Sequence, residues 1–410
     1  MDGITYLDNG GTSFPKPDAV HDAVRDFYSR YGVNPGRSGC DLALEAEKMI
    51  HDTRGRLSAF FNRSLAEAGR PADPNRLVFT MNATMSLNLV INGMVGPGDH
   101  VVTTMLEHNS VIRPVNHKVR DEGAEATYVS PDGEGYLDPE EIRKAIRKNT
   151  TLVVLNHGSN VTGAVQDLKA IGKVCREEDI PLAIDTAQTA GVLPIDMAEC
   201  NISFLTFTGH KALFGPTGTG GICVADDAEI RGTIYGGTGV RSAEPYQPED
   251  YPYRLEAGTQ NLAGIAGLSA GLDFIESKGL GNIHGHEIEL LSMLQDGLSE
   301  IPGVTLWGTR RLDNRVAALS VTVENYDASD VGTILDTDYN IITRAGLHCA
   351  PLIHEHHGTA PRGTVRFSIG TFNTKEHIEN TIRAVAQIAA DRAAPTVSVP
   401  SKSESQSVSD

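Results

Sequence analysis

An aspartate and a lysine each follow a run of residues with the composition of a buried β-strand. Asp185 ends the run PLAID, and Lys211 closes the segment GHK directly after the run FLTFT. Because the carboxyl ends of parallel strands share one edge of a sheet, both side chains are expected to face one crevice. A lysine amine can bond the aldehyde carbon of pyridoxal phosphate (PLP), and a carboxylate can hold its pyridinium nitrogen. The pair therefore indicates PLP chemistry, although spacing alone fits a surface lysine and a helix-capping aspartate equally well.

The phosphate of such a cofactor needs hydrogen-bond donors, and two further segments offer them. The segment NATMS (82–86) lies between a strand pattern and a helix pattern, where unpaired backbone N–H groups and the helix dipole attract an anion. Thr84 adds a hydroxyl there, and Thr208 and His210 add a second hydroxyl and a ring N–H in the lysine segment. An N-cap at Asn82 or Thr84 without any ligand is the alternative explanation.

Strand-like and helix-like patterns alternate through the first two thirds of the chain. The strand-like runs lie at 76–80, 100–105, 126–130, 151–157, 181–187 and 202–208. Strands that are apolar on both faces and separated by helices predict a mostly parallel sheet with crossover helices.

The pattern changes after about residue 261, which predicts a second domain. The runs AALSVTV (317–323) and TVRFSIG (364–370) alternate as half-buried antiparallel strands do. We expect a large PLP-binding domain over 16–260 and a smaller domain made of 1–15 and 261–393. The remainder, 394–410, is rich in Ser, Pro and Val without any period, which predicts a disordered tail.

Composition and charge exclude several classes of partner. The chain carries 53 acidic and 35 basic side chains among 410 residues, a net charge of −18, which argues against binding nucleic acid or an anionic membrane surface. No apolar run approaches the roughly 20 residues of a membrane-spanning helix, and the first residues lack a signal-peptide pattern. The five cysteines include no CxxC pair, which fits a reducing compartment, so we expect a cytoplasmic protein.

Eight short segments occur in the order found in one family of PLP enzymes. They are YLDNGGTSFPKP (6–17), NPGRSG (34–39), LEHNS (106–110), HGSNVTG (157–163), AIDTAQ (183–188), FTGHK (207–211), EAGTQN (256–261) and RAGLHCAP (344–351). From about Tyr6 to Ala389 the chain resembles the class V aminotransferase-type PLP enzymes, specifically the cysteine desulfurase and selenocysteine lyase group. The resemblance implies an α/β fold of the aspartate-aminotransferase type (fold type I), in which a large domain with a mainly parallel sheet carries a smaller C-terminal α/β domain.

The resemblance also implies a role for individual residues of these segments. Catalysis falls to Lys211, which bonds the cofactor, to His108, which stacks on its ring, and to Cys349. The cofactor is held by Thr84, Thr208 and His210 at the phosphate, Asp185 at the pyridinium nitrogen, Gln188 at the phenolic oxygen, and Thr259, which reaches the phosphate from the other subunit of a homodimer. The substrate site contains Asn160, Arg344 and Arg366, with Arg366 as a bidentate fork for the α-carboxylate. A packed core histidine and a surface ion pair are the ordinary structural alternatives for His108 and Arg366.

Cys349 decides which reaction the resemblance implies. In RAGLHCA it stands where desulfurases carry the sulfur-accepting nucleophile, near Arg344 and His348, which would favour a thiolate. The implied reaction removes sulfur or selenium from L-cysteine or L-selenocysteine and gives alanine and an enzyme persulfide, which a sulfur-acceptor protein can receive. A buried structural cysteine is the usual alternative for a free cysteine, and it is the interpretation adopted for Cys40, Cys175, Cys200 and Cys223.

Two other functions remain open at this point. A β-eliminating C–S lyase acting on a substituted cysteine uses the same cofactor site without Cys349 and gives pyruvate and ammonia. A sulfur-carrier or scaffold protein would keep the site only for stability and turn nothing over. Alanine formation with turnover separates desulfuration from both.

Two short segments depart from the family pattern, and one histidine-rich run needs a separate explanation. Gly10-Gly11 stands where relatives have Ala-Ala, and Cys40 stands where relatives often have His. Glycine lets the backbone approach the substrate more closely, so these positions bear on which substrate is bound. The run from His354 to His357 has neither CxxC-type nor HExxH-type spacing, so we expect a loop near the substrate and no metal site.

Overall fold

The computed structural model describes residues 3–35 and 40–391, and the predicted tail over 394–410 lies outside them. The helices are α1 (Asp18–Arg30), α2 (Asp41–Phe61), α3 (Arg63–Glu67), α4 (Ala83–Met94), α5 (Asn109–Glu122), α6 (Pro139–Ala145), α7 (Leu168–Glu177), α8 (Leu262–Lys278), α9 (Leu280–Ser299), α10 (Ala328–Tyr339), α11 (Pro351–His356) and α12 (Lys375–Asp391). The strands are β1 (Thr5–Tyr6), β2 (Leu77–Thr80), β3 (His100–Thr104), β4 (Glu125–Val129), β5 (Thr150–Asn156), β6 (Leu182–Asp185), β7 (Phe204–Thr208), β8 (Gly220–Val224), β9 (Val304–Trp307), β10 (Ala318–Val323), β11 (Ile341–Ile342), β12 (Arg344–Gly346) and β13 (Thr364–Ser368).

A seven-stranded sheet with the order β2-β8-β7-β6-β5-β3-β4 forms the larger part of the fold. The five strands from β7 to β4 run parallel, and β8 pairs antiparallel with both of its neighbours. All residues of β3, β6 and β7 are buried, as expected for strands covered on both faces. The connection 209–219 is too short for a crossover helix, so β8 returns antiparallel. The predicted mostly parallel sheet is confirmed.

A second, four-stranded sheet with the order β12-β13-β10-β9 lies in the C-terminal part. All of its strand pairs are antiparallel, as predicted for the runs that became β10 and β13. The N-terminal segment joins this part of the molecule, because β1 pairs with β11 and Asp8 forms a bridge to Ser368 at the end of β13. The bridge therefore places Asp8, and the turn that follows it, next to the end of β13 in the small sheet.

Each sheet has its own apolar core. Buried Leu205 and Phe207 belong to the core of the large sheet, and buried Leu319 and Phe367 belong to the core of the small one. Helix α8 adds Ile265 and its neighbours to the large core, although it follows the expected boundary at 261; the domain boundaries stay a prediction. Among the helices of the described ranges, none combines the length and apolarity needed to cross a bilayer.

Candidate active site

A cavity of about 210 Å³ opens at the carboxyl ends of the parallel strands. Three of its lining residues, Asn156, Asp185 and Thr208, are the last residues of β5, β6 and β7. Among the residues singled out from the sequence, the cavity brings together Thr84, His108, Asn160, Asp185, Gln188, Thr208, His210, Lys211, Arg344 and Arg366. Cys349 and Thr259 lie outside this lining.

Lys211 lies in a tight turn that leaves β7. The Gly209 N–H donates to the Thr219 carbonyl (2.8 Å), and a Cβ at position 209 would lie 2.1 Å from Thr219 Oγ1, so this turn requires glycine. Desolvation lowers the pKa of the Lys211 ammonium group to about 8, while the nearby Asp185 opposes the shift. An amine that deprotonates near neutral pH is suited to act as a nucleophile towards an aldehyde.

Asp185 stands opposite this amine as a buried carboxylate. Its Oδ1 accepts a hydrogen bond from the Ala187 N–H (2.9 Å), and only 5% of the residue is exposed. Burial raises its pKa, while the Ala187 N–H, the Lys211 charge and the Ser110 hydroxyl lower it. A cationic ring nitrogen in the cavity would hold this carboxylate ionised.

His108 caps the N-terminus of α5 and presents its ring to the cavity. Its Nδ1 accepts a hydrogen bond from the Ser110 N–H (3.1 Å), so the ring proton resides on Nε2. Burial, reinforced by the charge of Lys211 and nearby arginines, lowers the pKa of His108 to about 4. The imidazole is therefore neutral at neutral pH, with one N–H available.

Another set of residues that line the cavity offers hydrogen-bond donors. Helix α4 begins there, and its N-cap Asn82 accepts from the Met85 N–H (2.9 Å), which places Thr84 in the first turn. The buried hydroxyl of Thr208 has no hydrogen-bond partner among the described residues, which costs about 1–3 kcal/mol unless a ligand accepts its proton. His210 adds a ring whose Nδ1 contacts the hydroxyl of Thr12 (3.0 Å).

The residues of this cavity fit PLP. The unpartnered Thr208 hydroxyl and the start of α4 match a phosphate, since helix N-termini attract anions. The buried carboxylate of Asp185 matches a cationic ring nitrogen, and the Lys211 amine matches an aldehyde. Gln188 also lines the cavity, although its Nε2 donates to the Gly10 carbonyl (3.0 Å) in this structure.

Two arginines form the wall contributed by the small sheet. Arg344 of β12 and Arg366 of β13 are directly opposite each other in the antiparallel pair. The Arg366 guanidinium is 2% exposed and pairs with the carboxylate of Asp8, while its Nη1 donates to the Asn160 carbonyl (3.3 Å). Its buried Nε–H has no partner among the described residues, so a substrate carboxylate would satisfy it. The Asn160 side chain donates instead to the His348 carbonyl (2.9 Å).

Cys349 lies beside the cavity in a strained loop between β12 and α11. His348 and Cys349 both have left-handed backbone conformations, with φ of 49° and 58°, which L-residues rarely adopt. The Cys349 carbonyl accepts from the Asn109 N–H (2.6 Å), so neighbouring segments hold this conformation in place. The thiol is partly exposed, and its Sγ lies 3.7 Å from Nη2 of Arg344.

The other cysteines differ from Cys349 in their surroundings. Burial raises the pKa of Cys175 and Cys223 to about 12 and that of Cys200 to about 11, so these thiols stay protonated. Cys40 is exposed at the N-cap of α2, so the expectation of a buried structural cysteine is confirmed for Cys175, Cys200 and Cys223 and wrong for Cys40.

Thr259 lies away from the donors that it is expected to join. It lines a different cavity, of about 280 Å³, together with Asn34 and His51 among other residues. Within one chain it does not meet Thr208 and His210, so its expected contact with the cofactor phosphate requires a second chain and stays a prediction.

The histidine-rich run forms the end of α11 and the residue after it. His354 Nδ1 contacts the Thr359 hydroxyl (2.7 Å), and the ring of His357 stacks on Trp307 with centroids 5.9 Å apart. Over the ranges 3–35 and 40–391, no group of three or more His, Cys, Asp or Glu side chains is arranged to hold a metal ion. Most of the run is helical, because α11 extends to His356, so the loop expected from the sequence is wrong.

Three residues near the cavity were missed by sequence reasoning. Ser110 supports both His108 and Asp185, Asp8 pairs with Arg366, and Lys16 donates to the His210 carbonyl. Burial lowers the pKa of Lys16 to about 8. All three stand inside the quoted segments, but nothing in their spacing reveals which side chain they contact.

Comparison with known proteins supports this arrangement across almost the whole chain. The family model for aminotransferase class V matches residues 5–381. A probable cysteine desulfurase of Methanothermobacter thermautotrophicus is 34% identical over 91% of this chain and 92% of its own length. The cysteine desulfurase of Haloferax volcanii is 32% identical over 93% of this chain and 88% of its own length.

Solved structures agree with these relatives. The apo structure of a cysteine desulfurase from Thermococcus onnurineus NA1 superposes with a TM-score of 0.86 at 32% identity, with 95% of both chains covered. The cysteine desulfurase CsdA of Escherichia coli superposes with a TM-score of 0.83 at 26% identity, covering 95% of this chain and 96% of its own. With the family model, the curated relatives and the fold in agreement, the chain belongs to the class-V aminotransferase family, in its cysteine desulfurase group.

Proposed function

We propose that this protein is a PLP-dependent cysteine desulfurase that acts on L-cysteine or L-selenocysteine. The observation that carries the proposal is Cys349, a partly exposed thiol held by a strained loop beside Arg344 and the cavity. A lyase that eliminates sulfur without a nucleophile has no use for such a thiol. The family and the relatives support the same activity.

The residues of the cavity divide the work between binding and proton transfer. PLP, when bound, supplies the electron sink that weakens bonds at the substrate α- and β-carbons. Lys211 would hold the cofactor at its aldehyde, and its amine would move a proton at the substrate α-carbon. Neutral His108 would offer its Nε2–H to groups that exchange protons in the cavity, and Arg366 would hold the substrate carboxylate.

Sulfur transfer to Cys349 balances without another reactant. The Cys349 thiolate attacks the sulfur of the bound cysteine, an S–S bond forms, and the C–S bond breaks. The electron pair of that bond stays with the former β-carbon, which takes up a proton and leaves as the methyl group of L-alanine. Cys349 is left as a persulfide, and a small thiol or a sulfur-acceptor protein then regenerates the thiol.

Cys349→Ser tests the proposal. A hydroxyl is a far weaker nucleophile towards sulfur than a thiolate, so alanine production from L-cysteine should fall by about three orders of magnitude or more. Binding of L-cysteine, followed by the visible spectrum of the bound cofactor, should stay unchanged, which marks an interaction made only on the way to the transition state. Cys200→Ser is the matched control, because Cys200 lies in the apolar core of the large sheet rather than beside Arg344, and it should keep full activity.

The products identify the alternative if the proposal fails. Full cysteine-dependent turnover in Cys349→Ser with pyruvate as product would establish a C–S lyase. L-Selenocysteine is a useful second substrate, because selenium leaves more readily than sulfur and some turnover should survive the loss of the thiol.

A homodimer in the cytoplasm is part of the same proposal. The position of Thr259, apart from the other phosphate donors of its own chain, supports a site completed by a second subunit. A reducing compartment suits the reaction, since the Cys349 persulfide must be returned to a thiol in every turnover.

A further inference from the structure

The reaction described above gives Arg366 a role but none to Asp8, the carboxylate that pairs with it. Nη2 of Arg366 lies 2.5 Å from Oδ1 of Asp8, and 2% and 19% of the two side chains are exposed. Asp8 belongs to the turn after β1, and Arg366 belongs to β13, so the pair joins segments 358 residues apart in sequence. A charge-assisted hydrogen bond at this burial fixes the orientation of a guanidinium group.

The remaining contacts of Arg366 leave one edge free for a ligand. Nη1 donates to the Asn160 carbonyl (3.3 Å), and Nη2 is taken by Asp8, while the buried Nε–H has no partner within the part of the chain that the structure describes. Arg344 stands directly opposite on β12, so two cations share this wall. Asp8 offsets both the burial of Arg366 and its repulsion by Arg344.

Two glycines make room for this pair. A Cβ at Gly11 would lie 2.7 Å from Oδ2 of Asp8, and a Cβ at Gly10 would lie 3.2 Å from Cζ of Arg366 and 3.1 Å from Oγ of Ser368. The Gly10 N–H donates to that same Ser368 hydroxyl (2.8 Å), so the turn cannot easily move away. With alanine at position 11, the Asp8 carboxylate must shift from its place against Arg366.

We propose that Asp8, admitted by Gly10 and Gly11, is a positioning residue that orients Arg366 for the substrate α-carboxylate. The inference rests on the proposed function, since it assumes an amino-acid substrate in this cavity. It gives the two glycines a physical reason in this chain, since a Cβ at either position would press on the ion pair. A substrate carboxylate would approach the free Nε–H while Asp8 holds the neighbouring Nη2.

The test measures carboxylate recognition in the PLP-loaded enzyme without depending on sulfur transfer. L-Alanine and ethylamine differ only in the carboxylate, and the binding of each is followed through the visible spectrum of the cofactor. In Asp8→Ala the dissociation constant of L-alanine should rise about tenfold, with that of ethylamine unchanged, because only the carboxylate contact loses its orientation. Gly11→Ala should act in the same direction, and Asp8→Asn should fall between wild type and Asp8→Ala, because the amide oxygen still accepts from Nη2.

Kinetics with L-cysteine give a second measurement. KM should rise with the dissociation constant of L-alanine, while kcat changes by less than about threefold, as expected for a contact made equally in the ground and transition states. Gly133→Ala is the matched glycine control, since a Cβ there would meet no atom of the described residues within 4 Å, and it should leave every constant unchanged.

Two outcomes overturn the proposal. An unchanged affinity for L-alanine in folded Asp8→Ala and Gly11→Ala shows that Arg366 needs no positioning. An equal loss of affinity for L-alanine and ethylamine, with or without a lower melting temperature, shows a general structural role. Neither outcome depends on whether sulfur goes to Cys349, so a failure here is distinguishable from a failure of the desulfurase proposal.

Discussion

At the scale of single residues, the chemistry depends on an amine whose pKa is set by its surroundings. Desolvation lowers the pKa of Lys211 to about 8, and Arg366 and Arg344 act in the same direction. The negative charge of Asp185 raises the pKa of Lys211 and so opposes these effects, but the net shift is downward. The same two arginines also lower the pKa of His108, which is why one mutation in this group is expected to alter several titrations.

Lys211→Ala should abolish the covalent attachment of the cofactor while leaving the fold intact, because residue 211 lies in a turn outside the apolar cores. The visible absorption of the bound cofactor and the borohydride-reducible label should both disappear, and circular dichroism should match wild type. Lys169→Ala is the control, as Lys169 is 68% exposed in an ion pair with Glu199, and it should keep both signals. A reduced pyridoxyl label that maps to another lysine would contradict the assignment.

The sequence was informative for residues whose roles follow from their own position along a strand. Asp185 and Lys211 could be predicted because the carboxyl ends of parallel strands converge. Asp8 could not, since its partner Arg366 stands at the far end of the chain and no periodicity links them. Ser110 was missed because it acts only through its hydrogen bonds to His108 and Asp185, and the sequence does not reveal these contacts.

At the scale of secondary-structure elements, α9 carries a buried carboxyl group that no salt bridge within the ranges 3–35 and 40–391 compensates. Glu287 is 6% exposed, its Oε1 accepts from the Thr371 hydroxyl (3.2 Å), and burial raises its pKa to about 8. It faces a small cavity shared with Lys211, Phe372 and residues of the small sheet such as Ala318. The packing of α9 is therefore sensitive to pH.

Glu287→Gln should flatten the dependence of stability on pH. A carboxyl group with a raised pKa binds its proton more tightly in the folded state, so its contribution is fully present below the ordinary pKa of about 4.5 and is lost as pH rises towards 8. A tenfold tighter binding of that proton in the folded chain stabilises it by about 1.4 kcal/mol. Melting temperatures at pH 5.5 and 8.5 should therefore converge in the variant relative to wild type.

A second buried carboxyl group, Glu107, also contributes to the dependence of stability on pH. Burial also raises its pKa to about 8, so some pH dependence should survive in Glu287→Gln. An equally steep loss of melting temperature in wild type and variant would show that Glu287 is already ionised in the folded state.

Most elements could be predicted because burial on both faces leaves long apolar runs, as in β5 and β7. The direction of β8 could not be predicted from its residues, since the length of the preceding connection decides it. Strands of two or three residues, such as β11 and β12, are too short for any alternation to be visible. The segment 351–356 has a polar, histidine-rich sequence, but Pro351 at its first turn starts α11.

At the scale of the whole molecule, the cavity is incomplete if Thr259 belongs to the cofactor site. Thr259 lies in a different cavity of the same chain, so the contact must come from a second subunit. Arg54 and Glu256 form a buried ion pair (2.7 Å) three residues before it, which holds this segment firmly against β2. A fixed position at the molecular surface is what a contact between subunits requires.

Hybrid dimers of Lys211→Ala and Thr259→Ala chains test this arrangement. If Thr259 acts on the neighbouring chain, each hybrid contains one site with both wild-type residues and one site with neither. Random mixing of equal amounts makes half of all dimers hybrid, so about a quarter of all sites should regain wild-type affinity for PLP. Thr259→Ala homodimers alone should bind PLP more weakly, by about tenfold for one lost hydrogen bond to an anion.

The absence of any recovery in the mixture would mean that Thr259 serves its own chain or no cofactor at all. Recovery of both variant chains with an affinity tag carried by one of them is the control that hybrids have formed. Sedimentation is a separate check, because a PLP-loaded and active monomer would exclude the arrangement outright.

The left-handed backbone at His348 and Cys349 has a consequence for protein engineering. Glycine adopts this conformation without strain, whereas an L-residue loses about 1–2 kcal/mol there, so Cys349→Gly would be chosen by any design that optimises stability alone. That choice would remove the thiol on which the proposed reaction depends. Mutations that raise the melting temperature of this protein should therefore be sought at other positions. At position 349 the residue that stabilises the backbone is not the residue that reacts with sulfur.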